Sequence, residues 1–424
     1  MLQRLAAGRW FSEISSKPLE ILIGVCIFAT AASGGAVANV ASASIGILFI
    51  ACLFYIHKWP ELWRALTRNE QLLLGGLALY AFSGLLSYYN VSDEHEYIKH
   101  MGRYIRFFLI VPVYLLLTKS NLQLFKYLLA GAVVSGPLYL IFALIKISGS
   151  PGLPALWHYH HITFGDAAML NVVFLLAALV TWKTRPIIRA VMVVSIICAF
   201  NASILSQARG AWMALPFCGA LLFYLMIKHN KLKVKIVLPV LLLVVVVIGV
   251  SPVGNVMESR VKEAVHEVGS FVSGEKFDSS VGGRLAMWDI AVDVWKEHPV
   301  IGTGLGDFDQ EIELRQSQGI YQNIDVHASA HNMYFQALAT TGTVGFLVLC
   351  FALIIQPIRI FYQASHEKLT PAKLAGLMVI VAYAVFGLTE SWVLRAPVVA
   401  IYLIYLITLS AAASRNSDAV DPVH

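Results

Sequence analysis

Apolar segments of near 20 residues recur along this chain with short polar connections between them, and one long polar interval breaks the rhythm. The segments centre on 20–34, 41–57, 71–88, 104–118, 124–146, 165–182, 187–205, 211–227, 234–250, 333–356, 372–389 and 396–413. About 20 apolar residues, rising about 1.5 Å each, cross roughly 30 Å of hydrocarbon as a helix. The pattern therefore predicts an all-α polytopic membrane protein with about twelve transmembrane helices. The polar interval, 251–332, follows nine segments and precedes three, dividing the chain into a membrane bundle over 1–250, a loop domain over 251–332 and a second bundle over 333–424. It is the one place where an extramembrane apparatus of any size can be built.

Within that interval Val261, Ala264, Val265, Val268 and Val272 recur at helical spacing, with Glu258, Lys262, Glu263 and Glu267 largely elsewhere. This reads as an amphipathic helix lying on the bundle or the bilayer surface. A second helix is expected to start near Gly282-Gly283-Arg284, with Ser279 or Ser280 as cap and Leu285, Trp288, Val292 and Trp295 at intervals of three and four. Arg284 then falls in its first turn, where a cation opposes the helix macrodipole unless an anion binds there. The alternative is a solvated surface arginine. The run from His298 to Asp309 is rich in glycine, but no strand precedes it, so it reads as a packed turn rather than a phosphate loop. Asp307 and Asp309 are too few to fix a divalent ion.

The interval ends in His331-Asn332-Met333-Tyr334 at the lip of the next span. A neutral imidazole held there can take a proton from a hydroxyl, or serve only as a polar cap. Tyr334, three residues on, shares nearly the same helix face and can orient the ring or anchor the interface. His327 is a secondary candidate. Arg209 stands in a turn of a few residues between two spans, which fixes it at the lip of the bundle as an anion ligand or as a snorkelling interfacial arginine.

Composition agrees with a membrane protein: 58% hydrophobic, 13% charged and mean hydropathy +0.71. Most of the 31 Lys and Arg, among them Arg4, Arg9, Lys17, Arg64, Arg68, Lys119, Arg185, Lys228, Arg359 and Arg415, fall on one side if the N-terminus is inside. Both termini are then cytoplasmic and the long interval faces outward. The net charge of +6 follows from this bias and requires no nucleic acid. The short basic stretch from Met1 to Phe11 does not resemble a cleavable signal peptide, so the first span serves as its own insertion signal. The five cysteines all lie in apolar segments and imply no disulfide framework.

Four motifs taken together carry a resemblance. They are Ser206-Gln207-Ala208-Arg209-Gly210-Ala211-Trp212, Gly283-Arg284-Leu285-Ala286-Met287-Trp288, His298-Pro299-Val300-Ile301-Gly302-Thr303-Gly304-Leu305-Gly306 and His331-Asn332-Met333-Tyr334. Their order and intervals, with one large loop before the last three spans, resemble the ligase branch of the O-antigen ligase and polymerase family of bacterial inner membranes. The specific motifs cover residues 203–345, whereas the N-terminal spans match only in number and hydrophobicity.

The resemblance implies transfer of a polysaccharide from undecaprenyl diphosphate to a sugar hydroxyl of lipid A-core, on the periplasmic side, during lipopolysaccharide biosynthesis. It also implies an inverting, metal-independent enzyme similar to glycosyltransferases of the GT-C type, with no cofactor. Arg209 and Arg284 would clamp the diphosphate and His331 would act as the base, with Asn332, Tyr334 and His327 around it. Arg103, Arg106 and His161 are candidate contacts to lipid A, or interfacial anchors. The cluster His158-Tyr159-His160-His161 lacks the carboxylate or thiolate pattern of a metal site.

A polymerase or a related oligosaccharyltransferase shares the chemistry with a different acceptor. Twelve spans also suit a secondary transporter, whose mark is ionisable residues at mid-membrane depth. Here charges stay near the lips, and Asp166, Glu390 and Arg395, which come closest, are expected at outer helix ends.

Overall fold

The computed structural model describes residues 16–150, 160–229, 262, 266, 269, 280–321, 324–327, 329–365 and 369–415. Among these residues the regular structure is helical, with no strand. The first half holds α1 (Lys17–Ser33), α2 (Val40–Leu53), α3 (Trp59–Arg64), α4 (Arg68–Leu86), α5 (Glu94–Lys119), α6 (Leu124–Gly149), α7 (His161–Thr181), α8 (Pro186–Leu205), α9 (Arg209–Trp212) and α10 (Ala214–Lys228). The second holds α11 (Ser280–Glu297), α12 (Phe308–Ser317), α13 (Met333–Cys350), α14 (Gln356–Ser365), α15 (Pro371–Phe386) and α16 (Ala396–Ser414). The expected span at 234–250 lies outside the described residues. So does the amphipathic helix of the loop, apart from Lys262, His266 and Gly269, which are helical and exposed.

Each of the other eleven expected spans coincides with helix, but fewer meet the length a bilayer demands. Among the described residues eight helices are long and apolar enough to cross, or nine if Val40–Leu53 and Ile56–Arg64, bent by 74°, form one span. The expected count of about twelve is therefore not confirmed among the described residues. At 16 residues α15 is about 24 Å long at 1.5 Å per residue, short of a full crossing. A second difference lies at α5, which begins at Glu94 rather than near 104. Asp93 caps it by accepting the N–H groups of His95 at 2.8 Å and Glu96 at 3.1 Å, so a charged stretch that reads as loop is helix.

The bundle closes around α16, a helix apolar on every side and buried over 89% of its most apolar window. It packs against α1, α2, α5, α6, α14 and α15. Beside it α15 lies against α7, itself 78% buried over its apolar window.

The glycine-rich stretch is a packed turn, as its sequence suggests, and it mends a break in a membrane helix. Gly342 interrupts α13 with φ of 64°, which would leave backbone groups without helical partners. Residues 299–304 supply them. Thr303 and Gly304 donate N–H groups to the Ala339 and Thr340 carbonyls at 3.0 and 3.1 Å, while Thr343 and Val344 donate to Pro299 and Val300 at 2.9 and 3.2 Å. The approach is so close that a Cβ on Gly302 would lie 2.4 Å from the Thr340 backbone. Asp307 closes the same region by accepting the Ser92 N–H at 2.7 Å and the Asp93 N–H at 3.3 Å. That carboxylate ties the loop to the start of α5.

Candidate active site

Asn332 is the cap of α13, accepting the N–H groups of Tyr334 at 2.9 Å and Phe335 at 3.2 Å. It also docks the segment on the turn after α15, donating its side-chain amide to the Leu388 carbonyl at 3.1 Å and its backbone N–H to Ser391 Oγ at 3.1 Å. Met333 adds an N–H to the Gly387 carbonyl at 2.8 Å. These bonds over-determine the backbone just before the helix, where His331 adopts φ of 48°, a conformation costly for a residue with a Cβ. The imidazole is thereby aimed at one partner.

That partner is Glu390. Its Oε2 lies 3.1 Å from His331 Nδ1, and its side chain is 3% exposed. Its other oxygen lies 3.4 Å from Arg395 Nε. Burial pushes this carboxyl up, but the His331 hydrogen bond and the charges of Arg395, His331 and Arg284 outweigh it and hold the pKa at about 2. An ionised carboxylate can only accept, so Nδ1 carries a proton, and in the neutral form of the ring Nε2 keeps its lone pair. In that form the outer nitrogen can accept a proton.

Arg284 reaches the same place on α11. The helix starts at Ser280, earlier than the glycine pair suggested, so Arg284 opens the second turn rather than lying in the first. Trp288, one turn further along, donates its indole N–H to the Ala330 carbonyl at 2.9 Å and stacks on Phe335 with ring centroids 5.4 Å apart. Trp295 continues the same face, bonding Thr343 Oγ1 at 2.9 Å. The helix is thus fixed beside the residues preceding His331, and the Arg284 charge acts on Glu390, His160 and His161.

Arg209 arrives from a third direction. Gln207, at φ of 57°, turns the chain out of α8, and Ser206 Oγ accepts the Ala208 N–H at 3.3 Å. Ser203 donates its hydroxyl to the Gly165 carbonyl at 3.1 Å, seating the turn on α7. Gly210 then presses on Thr389, where a Cβ would lie 2.0 Å from Oγ1. The residue after Thr389 is Glu390, so the Arg209 turn and the loop bearing Arg284 and His331 meet on the connection between α15 and α16.

Other expected residues divide. The rings of His327 and His331 meet edge-on with centroids 5.4 Å apart, and partial burial and the neighbouring imidazole hold the His327 pKa below its ordinary value. His160 and His161 lie 4.1 Å apart at the start of α7, and burial followed by the Arg395 charge lowers the His160 pKa. Tyr334 takes a different role from orienting His331: its hydroxyl donates to the Ala384 carbonyl at 2.8 Å. The ring is part of the dock onto α15. Arg103 and Arg106 lie on the N-terminal half of α5, and the Arg106 guanidinium bonds the Gly102 carbonyl of its own helix.

Glu390 and Arg395 were legible only as charges near helix ends, with no feature of the sequence pairing either with His331. Asp166, also expected at a helix end, is instead five residues into α7, 3% exposed, with Oδ1 lacking a hydrogen-bond partner among the described residues.

A protein of Haemophilus influenzae described as uncharacterized is 24% identical over 356 residues, covering 81% of this chain and 86% of the relative. A family model described as O-antigen ligase matches residues 194–350. The stretch that carries Arg209, Arg284 and His331 is therefore the part of this multi-pass helical protein that is similar to the O-antigen ligase family.

Proposed function

We propose that the chain transfers a preassembled polysaccharide from undecaprenyl diphosphate to a sugar hydroxyl of lipid A-core, on the periplasmic face of a bacterial inner membrane. The observation carrying this reading is the pairing of His331 with the buried Glu390 at the meeting point of the segments that bear Arg209 and Arg284. In this reading residues 251–332 face the periplasm between the two bundles and both termini are cytoplasmic.

A glycosyl diphosphate is already activated, so the protein has two tasks. His331 Nε2 takes the proton of the acceptor hydroxyl as that oxygen attacks the anomeric carbon, and Glu390 stabilises the imidazolium that forms. The bond from the anomeric carbon to the diphosphate oxygen breaks on the opposite face, which inverts the centre. Charge gathering on the leaving diphosphate is met by Arg209 and Arg284. Preorganised donors of this kind supply about 3 kcal/mol each, so loss of either arginine costs on the order of 10²-fold in rate. Asn332 holds the base in place and His327 flanks it as a neutral ring.

Purified protein in lipid nanodiscs, given the lipid-linked polysaccharide and lipid A-core, is expected to form the glycan–core product without added metal. Near wild-type turnover by His331→Ala or Arg284→Ala would exclude this assignment. A polymerase uses the same chemistry on a second lipid-linked repeat, and deletion of the gene separates the two. Long polysaccharide retained on undecaprenyl diphosphate marks the ligase; retention of single repeats marks the polymerase.

A further inference from the structure

Arg395 presents only part of its guanidinium to Glu390. Its Nε meets Oε1 at 3.4 Å and its side chain is 41% exposed, with no other hydrogen bond or ion pair to a described residue. Helix α5 packs against the turn Trp392–Leu394 and against α16, which begins next to Arg395. Arg103 lies on α5, and the charges of Arg103 and Arg395 act on one another. Arg103 is half-buried, and its guanidinium makes no hydrogen bond or ion pair with any described residue.

The surroundings offset the pair only in part: the Glu96 charge acts on Arg103, and Glu390 pairs with Arg395. Glu96, two turns before Arg103 on α5, is engaged by Lys99 at 2.7 Å and faces His100 at 3.8 Å. Glu390 is shared with His331. His160, also within reach of Arg395, has a lowered pKa, with burial the chief cause. Two like charges partly withdrawn from water repel unless an anion lies between them. Guanidinium forks match phosphate oxygens bidentately.

We infer that Arg103 and Arg395 form a phosphate-binding subsite for a lipid-linked sugar phosphate, on the side of Glu390 away from His331. The inference rests on the transfer reading above and adds an anion position distinct from that of Arg209 and Arg284. The phosphate belongs to the acceptor lipid or to the donor diphosphate; both offer the same oxygens to the fork. A shared Glu390 then ties occupancy of the subsite to the orientation of the base.

Binding decides it without turnover. Protein carrying His331→Ala, in nanodiscs, is titrated with diphosphorylated lipid A, with its phosphate-free form and with undecaprenyl diphosphate. A lost charge-assisted hydrogen bond weakens binding about tenfold, so adding Arg103→Gln is expected to weaken at least one phosphorylated lipid by that factor. Binding of the phosphate-free form is expected to stay the same. Arg103→Lys, which keeps the charge without the fork, is expected to fall between. Loss on lipid A assigns the subsite to the acceptor, and loss on undecaprenyl diphosphate assigns it to the donor. Unchanged binding of both phosphorylated lipids, or equal weakening of the phosphate-free form, overturns the inference. Failure of the transfer reading would appear separately, as no product from the unmutated protein.

Discussion

Glu390 Oε2 and His331 Nδ1 lie 3.1 Å apart although 59 residues separate them in the chain. The carboxylate sits on the connection between α15 and α16, and the imidazole sits at the end of the polar loop. Their bond places a proton on Nδ1, so in the neutral ring Nε2 is the acceptor.

Glu390→Gln should therefore lower kcat with little change in KM for either lipid. A carboxamide neither stabilises the imidazolium nor enforces one tautomer, and outer-shell partners of this kind are worth about 10- to 100-fold. Steady-state kinetics in nanodiscs reads the split. A rise in KM at unchanged kcat would mean that Glu390 serves substrate binding rather than the base.

The same carboxylate gives a pH dependence of stability. Its folded pKa of about 2 lies below the ordinary value of 4.5, so its contribution is fully present above that value and is lost as pH falls toward 2. At about 1.4 kcal/mol per unit, the whole loss is about 3 kcal/mol. Unfolding temperatures in detergent should fall over this window more steeply in the wild type than in Glu390→Gln, which is less stable at neutral pH. Parallel curves for the two proteins would show that Glu390 does not titrate there.

Much of the site was legible because its chemistry is clustered in short motifs. Arg209 stands in a tight turn, Arg284 near a helix start and His331 at a helix lip, each a position that sequence spacing exposes. Glu390 was not, because a single carboxylate between two apolar spans carries no periodic signal and its partner arrives through the fold. Tyr334 misled for a related reason. Helical spacing places it near the His331 face, but Asn332 caps the helix and His331 lies outside it with a positive φ, so the phenol is free to bond Ala384. The N-terminal extension of α5 was hidden by its charges, which read as loop until Asp93 is recognised as a cap. The spans were visible in apolar length, yet the bend of 74° after Leu53 and the short α15 depend on packing.

Gly210 tests whether the Arg209 turn needs its close seat beside Glu390. A methyl there would meet Thr389 Oγ1 at 2.0 Å and Thr389 Cβ at 2.8 Å, so the turn has to move outward. Misplacement near 1 Å can cost about 10²-fold, so Gly210→Ala should lose activity at normal protein levels. Thr389→Ala removes the nearer obstacle and should restore part of the loss in the double variant. Rates for both variants and the pair form a double-mutant cycle, and simple additivity would show that the contact does not position Arg209.

The clasp between the glycine-rich turn and the break in α13 should behave as one unit. Gly302 and Gly342 both have positive φ, and a Cβ on either would come within 2.4 Å of the other segment's backbone. An alanine at either position strains the backbone and forces the two segments apart, disturbing the bonds from Thr303, Gly304, Thr343 and Val344. Each substitution should cost more than about 1 kcal/mol. Because one separation serves both, the pair should cost less than the sum of the singles. Thermal unfolding in detergent measures all three variants. A fully additive pair would mean that the two glycines act through local strain alone, leaving the clasp no part in holding the loop against α13.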